Sequence, residues 1–315
     1  MKTTFSRRHF IQTSALAAGA AFSTPAFGSF NLDQWQKGRS ISPFILGEDL
    51  LRLTQIADMD GLTRQALLVN RECFQLGKAW SISGKPLTAL VQASRNLWKD
   101  PKESDRAQTQ FALLCGWSAH RTFEQWLYKD DQAVSTAEDL SERTLYRDVH
   151  LMKMLQNADP HRPMIAIDRP LPGVDVASVA NLFHLIQQRN LIRMHTIRPE
   201  FSDAEGWLDQ FLNYYHQLKK DNAQYAEVYC NPVAEKVQKH IRQNNFYHAD
   251  DQIIQVARKL QMGLPLGHHG SSWMESAPAS IYGKALGEAF QKIRTCSLYI
   301  TGNATEQALQ AAFGG

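Results

Sequence analysis

Apolar residues recur at helical spacing through most of the first half of the chain. One clear stripe follows Pro86, a residue that suits a first helical turn, and it consists of Leu87, Leu90, Val91, Ser94 and Trp98. The stretch 104–130 contains no proline and predicts one long helix, and further helices are expected over 62–76 and 140–156. Helices that each hide one apolar face are typical of a bundle, which an irregular lead-in over 29–45 would precede.

The spacing of apolar residues changes after 157–163, a segment in which two prolines lie within four residues. Strand-like runs are expected at 164–167, 191–197, 225–230 and 297–300. They alternate with helical stretches at 176–189, 203–220, 250–261 and 280–293, and a short helix ends the chain. Such alternation predicts βαβ units around a small, mostly parallel sheet. The predicted fold is therefore α+β or α/β, with a helical domain over 29–158 and an α/β domain over 159–315.

Residues 1–28 have the three parts of an export leader. The motif Ser6-Arg7-Arg8-His9-Phe10-Ile11 precedes a mildly apolar run over 11–22, and small residues at 26–28 suit a signal peptidase. The motif resembles the twin-arginine (Tat) export signal, in which Leu is commoner than Ile at the last position. The resemblance implies the Tat translocase as a partner, a periplasmic location and export of an already folded chain. Tat substrates often acquire their cofactors in the cytoplasm.

The charge of the chain changes when this leader is removed. The full sequence has 34 Lys and Arg against 31 Asp and Glu, and the leader carries three of the basic residues, Lys2, Arg7 and Arg8, and none of the acidic ones. The mature chain is therefore formally neutral, which argues against nucleic acid or anionic lipid as a partner. The apolar run of the leader has 12 residues, whereas a membrane-spanning helix needs about 20. No stable membrane anchor is expected.

The four cysteines are widely spaced, which argues against a thioredoxin-like motif, a c-type haem and a zinc ribbon. Cys73 lies on a helical stripe whose other members are Leu62, Ala66, Val69 and Leu76. This position predicts a small core residue, and the same interpretation holds for Cys115. A disulfide between Cys230 and Cys296 stays open, because spacing does not decide it.

Candidate chemistry falls in the second half of the sequence. In an open parallel sheet the ligand crevice lies outside the carboxyl ends of the strands, where Asp168, Arg169 and Arg198 would stand; Arg193 and His195 share one face of the preceding strand. A glycine-bounded loop adds His268 and His269, followed by Trp273 and Glu275. Imidazole titrates near neutrality and is a common general base and metal ligand. The predicted catalytic residues are Asp168, His195, His268 and His269, and the predicted ligand contacts are Arg169, Arg193, Arg198, Trp273 and Glu275.

Two functions remain in competition at this point. The first is an exported hydrolase or metal-assisted enzyme, which requires Asp168, His268 and His269 to converge in one cleft. The second is a non-catalytic periplasmic protein that binds a small-molecule ligand or accompanies a cofactor-containing enzyme. That second function predicts a groove between the two halves of the chain, lined by tryptophans rather than by ionisable groups. No particular metal or cofactor is predicted.

Overall fold

The computed structural model describes residues 42–77, 84–131, 143–144, 147–148, 151, 245–266 and 272–313. The first described helices are α1 (Ser42–Ile56), α2 (Gly61–Val69), α3 (Arg71–Gly77), α4 (Gly84–Trp98) and α5 (Ser104–Asp131). After the undescribed part follow α6 (Gln252–Gln261), α7 (Ile281–Thr301) and α8 (Glu306–Phe313), with short 3₁₀ turns at Pro101–Glu103 and Ser272–Met274. Arg143, Thr144, Arg147, Asp148 and Leu151 are also helical, within the predicted 140–156 helix.

The prediction of an α+β or α/β fold with a parallel sheet is wrong. The described residues are 80% helical and contain no strand. The clearest error is Ser297–Ile300, which was expected to be a strand and forms the last turn of α7. Its buried face is helical, because Ile293, Cys296, Ser297 and Ile300 recur at spacings of three and four. The other predicted strands, at 164–167, 191–197 and 225–230, lie outside the described residues.

Helix ends follow capping rules at three places. The Asp60 carboxylate accepts hydrogen bonds from the backbone N–H groups of Leu62 and Thr63, at 2.9 and 3.1 Å, and begins α2. Ser280 begins α7 in the same way, by accepting a hydrogen bond from the N–H of Gly283. α7 ends at Gly302, whose φ of 88° lies in the left-handed region that glycine tolerates without strain.

Two predicted helix boundaries are corrected by the structure. α1 begins at Ser42 and is buried from its first residue, so the end of the expected lead-in is already helical. The expected helix over 62–76 is two helices separated at Asn70. Leu62 and Val69 are exposed, at 63% and 69%, although the sequence stripe placed them in the core, whereas Ala66 and Cys73 are buried as expected.

Helix α5 is the centre of the described structure. Every residue from Thr109 to Ala119 is buried, and the helix contacts α1, α2, α3, α4 and α7. α3 approaches it closely, because Gly77 and Gly116 face each other without side chains. A Cβ on Gly116 would lie 3.0 Å from the Cα of Gly77 and closer still to the carbonyl oxygen of Phe74. Two glycines thus allow two helix backbones to touch.

One hydrophobic core joins the two ends of the described chain. Buried residues of α1 to α5 and of α6 to α8 form a single contiguous cluster, in which α7 lies against α5, α4 and α1, while α6 lies against α1. Phe123, Phe246 and Tyr282 meet in this cluster, with ring centroids 6.0 to 6.3 Å apart. The predicted domain boundary at 158 lies outside the described residues and stays a prediction.

Candidate functional site

Most of the residues predicted for the site lie outside the described part of the chain. They are Asp168, Arg169, Arg193, His195, Arg198, His268 and His269, as well as Arg7 and Arg8 of the leader motif. Trp273 and Glu275 are described. Trp273 is buried and packs against Phe290 of α7, with the ring centroids 5.2 Å apart, whereas Glu275 is exposed. Convergence of the predicted residues in one cleft stays a prediction.

A buried ion cluster joins α1, α6 and α7. The carboxylate of Asp49, which is fully buried, accepts hydrogen bonds from Arg52 Nη1 at 2.8 Å and from the Tyr282 hydroxyl at 2.7 Å. It also forms a salt bridge with Arg258. Tyr247, from the segment before α6, is buried beside the same guanidinium. Three helices and the segment before α6 therefore meet at one carboxylate.

The electrostatics of this cluster are those of a closed structural contact. Burial raises the pKa of Tyr247 to about 12 and the pKa of Tyr282 well above its ordinary value. Burial alone would lower the pKa of Arg258, but the negative charge of Asp49 outweighs it and raises that pKa. Both phenols therefore stay neutral near pH 7, and the Arg258 guanidinium stays charged beside Asp49. The cluster ties helices together and presents no titrating group to solvent.

A second polar arrangement lies where α5 faces α7, and we call it the seam. It consists of Thr122, Trp126 and Lys129 on α5 and of Lys284, Glu288 and Lys292 on α7. Lys292 Nζ donates to Thr122 Oγ1 at 3.1 Å and forms a salt bridge with Glu288 Oε1 at 2.8 Å. Trp126 Nε1 donates to the other oxygen of Glu288, also at 2.8 Å.

These contacts hold the Glu288 carboxylate in its charged form. Burial by itself would raise the pKa of Glu288, but the hydrogen bond and the positive charge of Lys292, together with the hydrogen bond from Trp126 and the charge of Lys129, lower it. Both carboxylate oxygens are occupied, one by Lys292 and one by the indole. Glu288 therefore fixes the orientation of the Trp126 ring, and neither Lys129 nor Lys284 lies within salt-bridge distance of its carboxylate.

The seam opens towards solvent at its Lys129 end. Lys292 is buried, Glu288, Trp126 and Lys284 are half-buried, and Lys129 is exposed. The Lys129 ammonium lies 4.5 Å from the centroid of the Trp126 ring, and the Lys284 ammonium lies 5.8 Å from it. Within the described residues neither ammonium has a carboxylate at salt-bridge distance. Two ammonium groups, neither with a salt bridge to a described carboxylate, therefore flank one half-buried, oriented indole.

The spacing of Thr122 and Trp126 in the predicted 104–130 helix places both on one face, but Trp126 was not among the predicted site residues. The missing signal was on α7, where Lys284, Glu288 and Lys292 recur every four residues and so share one face. That repeat lay within the predicted 280–293 helix. Only the three-dimensional structure shows that it faces the stripe of α5.

No protein-family model, curated protein or solved structure matches this chain. Within the described ranges, no group of three or more His, Cys, Asp and Glu side chains is arranged to hold a metal ion. No helix in the same ranges has both the length and the apolar character that crossing a bilayer requires.

Proposed function

We propose that this chain is an exported small-molecule-binding protein that crosses the inner membrane already folded, by the twin-arginine route. The observation that carries the binding role is the open end of the seam, where the Trp126 ring is oriented by Glu288 and flanked by Lys129 and Lys284. A binding site needs a few fixed polar groups beside an apolar surface. The seam supplies both at the junction of the first-half and second-half helices, with a tryptophan at its open end.

The twin-arginine route is supported by the Ser6–Ile11 motif and by the state of two core thiols. Cys115 on α5 and Cys296 on α7 are both buried thiols, and they lie within hydrogen-bonding range of each other. Burial, first of all, raises the pKa of the Cys115 thiol well above its ordinary value, which disfavours the reactive thiolate. A core that closes over two reduced thiols suits folding in the reducing cytoplasm, before export.

The export half of the proposal is tested by replacing Arg7 and Arg8 together with Lys. The expected result is loss of the mature protein from the periplasmic fraction and accumulation of the folded precursor in the cytoplasm. The matched control is a Lys2→Arg variant, which keeps a basic residue in the leader and leaves the arginine pair untouched. Undiminished delivery of the paired-Lys variant would overturn the route.

The binding half is tested on mature protein purified from the periplasm. Native mass spectrometry is expected to show an organic ligand that is lost on denaturation, at close to one per chain. Elemental analysis of the same sample separates this role from that of a metal-assisted enzyme. Stoichiometric metal without an organic ligand would overturn the binding role and favour the convergence of Asp168, His268 and His269.

A further inference from the structure

We infer that the open end of the seam binds a small organic anion, whose carboxylate or phosphate oxygens are held between Lys129 and Lys284 beside the indole of Trp126. The inference deepens the proposed binding function and rests on it. It assigns the chemical class of the ligand from the charges that the seam leaves uncompensated.

Positive charges outnumber negative charges along the seam. One carboxylate, that of Glu288, faces three ammonium groups, those of Lys129, Lys284 and Lys292. Lys292 Nζ forms a salt bridge with that carboxylate at 2.8 Å. The seam therefore carries a local surplus of two positive charges, although the mature chain as a whole is formally neutral.

Carboxylates on the neighbouring turns of α5 do not relieve this surplus. Asp130 forms salt bridges with Arg143 and Arg147, so it has two guanidinium partners already. Glu124 lies 3.3 Å from His120 and 3.9 Å from Arg121. Both acids are thus engaged by other bases, and among the described side chains they form no salt bridge with the two lysines of the open end.

The indole does not neutralise the two lysines either. A cation–π contact at an exposed position is weak, of order 0.5–1 kcal/mol, and an ammonium group has three N–H donors with which it can also bind an anion. A hydrogen bond from an ammonium to an anionic oxygen is stronger than one between neutral groups. Both ammonium groups can therefore move from the ring to a bound anion without a large loss of interaction energy.

The geometry also limits the size of the ligand. Because both ammonium nitrogens lie within 5.8 Å of one ring centroid, they cannot be further apart than the sum of their two distances to it. A short dicarboxylate spans the upper part of that range, and one phosphate group bridges the two nitrogens where they lie closer together. The apolar part of such a ligand would rest on the Trp126 ring, which Glu288 already holds in one orientation, so little ordering is needed on binding.

The test is a titration of the mature protein at low salt with succinate and, separately, with inorganic phosphate. Tryptophan fluorescence reports binding, and Trp126→Phe assigns the signal, because the chain contains 7 tryptophans. Calorimetry serves as the second readout. We expect saturable binding, weakened about tenfold in Lys129→Gln and in Lys284→Gln, since each variant loses one charge-assisted contact. Lys129→Arg, which keeps the charge, should retain most of the affinity.

The matched control is Lys99→Gln, which removes one charge from an exposed lysine next to the 3₁₀ turn at Pro101–Glu103. Its affinity should equal that of the wild type. Lys129 is exposed and Lys284 is half-buried, so their variants should fold, and thermal melts verify this. The absence of saturable binding, or equal affinity in the Lys129→Gln/Lys284→Gln double variant, would overturn the inference.

Two further outcomes distinguish a soluble anion from a lipid headgroup and from a neutral ligand. Sedimentation with phosphatidylglycerol and phosphatidylcholine vesicles distinguishes a lipid headgroup from a soluble anion, and binding to anionic vesicles alone would contradict the soluble ligand. If native mass spectrometry finds a neutral organic ligand that succinate and phosphate do not displace, the anion inference fails and the binding function stands.

Discussion

Asp49→Ala is the substitution that most directly tests how the two ends of the described chain are joined. It would leave the Arg258 guanidinium, which is 9% exposed, without its carboxylate, and the buried hydroxyl of Tyr282 without its acceptor. Removing one partner of a buried ion pair costs about 3–5 kcal/mol. Since domains are stable by roughly 5–15 kcal/mol in total, the free energy of unfolding should fall by a large fraction.

The assay is urea denaturation of the mature protein, followed by far-ultraviolet circular dichroism. Asp58→Ala is the matched control, because it removes an aspartate from a salt bridge at the surface. Asp58 lies 3.6 Å from Arg294, and its side chain is 95% exposed. Exposed pairs of this kind contribute about 0–1 kcal/mol. The two variants should therefore differ by at least about 2 kcal/mol in their free energy of unfolding.

A double variant, Asp49→Leu/Arg258→Met, tests the physical reason for that loss. If the damage comes from an unpaired buried charge, removing both charges should restore much of the stability, because apolar replacements of buried pairs are often neutral. The reasoning would be refuted if Asp49→Ala cost no more than Asp58→Ala. It would also be refuted if the double variant were no more stable than Asp49→Ala.

Three further predictions concern the core. Gly116→Ala should cost about 1–3 kcal/mol, measured by the same urea assay, because the added Cβ meets the α3 backbone. Gly61→Ala, with nothing within 4 Å, should be neutral or slightly stabilising, and equal costs would contradict the close approach. The pKa of Tyr247 is raised from 10 to about 12, so the stability it contributes is present below pH 10 and lost as the pH rises towards 12. Wild type should lose about 1.4 kcal/mol per pH unit more than Tyr247→Phe across that window, and parallel curves would refute the shift. Cys115 and Cys296 should resist iodoacetamide in the native state and react once urea unfolds the chain; mass spectrometry that shows rapid native labelling would contradict their burial.

The helices that the sequence predicted well are those with a continuous apolar period and clear ends. The predicted 104–130 helix is α5, Ser104–Asp131, and the predicted 250–261 helix is α6, Gln252–Gln261, which is followed by Gly263 with a φ of 65°. In both cases the local pattern and the tertiary environment agree. Sequence reasoning is reliable where the residue that ends a helix is also visible in the sequence.

Errors arose where local preference and tertiary contacts disagreed. Tyr299 and Ile300 are residue types that favour strands, but both are buried, and Tyr299 also stacks under Arg95 at 4.7 Å. The decisive signal was Gly302, a helix-ending residue two positions further on. Burial of a helical face against α4 outweighed the local preference, and this contact cannot be read from a single segment.

The seam could be predicted only in part, because it depends on pairs of residues far apart in the sequence. A spacing of four residues places Thr122 and Trp126 on one face of α5, and the same spacing, which sequence reasoning did not use, places Glu288 and Lys292 on one face of α7. Their pairing across 162 positions for Trp126 and Glu288, and across 170 for Thr122 and Lys292, has no local signature. The helix packing that brings them together is specified by the core as a whole.

Another long-range contact, between α1 and α7, bears on the proposed export route. Tyr282 of α7 donates to Asp49 of α1, so the core around α1 is incomplete until the C-terminal helices have been synthesised. If the chain is exported in the folded state, translocation must therefore begin only after translation has ended. Removing residues 281–315 should abolish both the cooperative unfolding transition and twin-arginine export. The same truncated chain behind a leader for unfolded export should still leave the cytoplasm, as fractionation and immunoblotting would show. Efficient twin-arginine export of the truncated chain would contradict the coupling of core closure to this route.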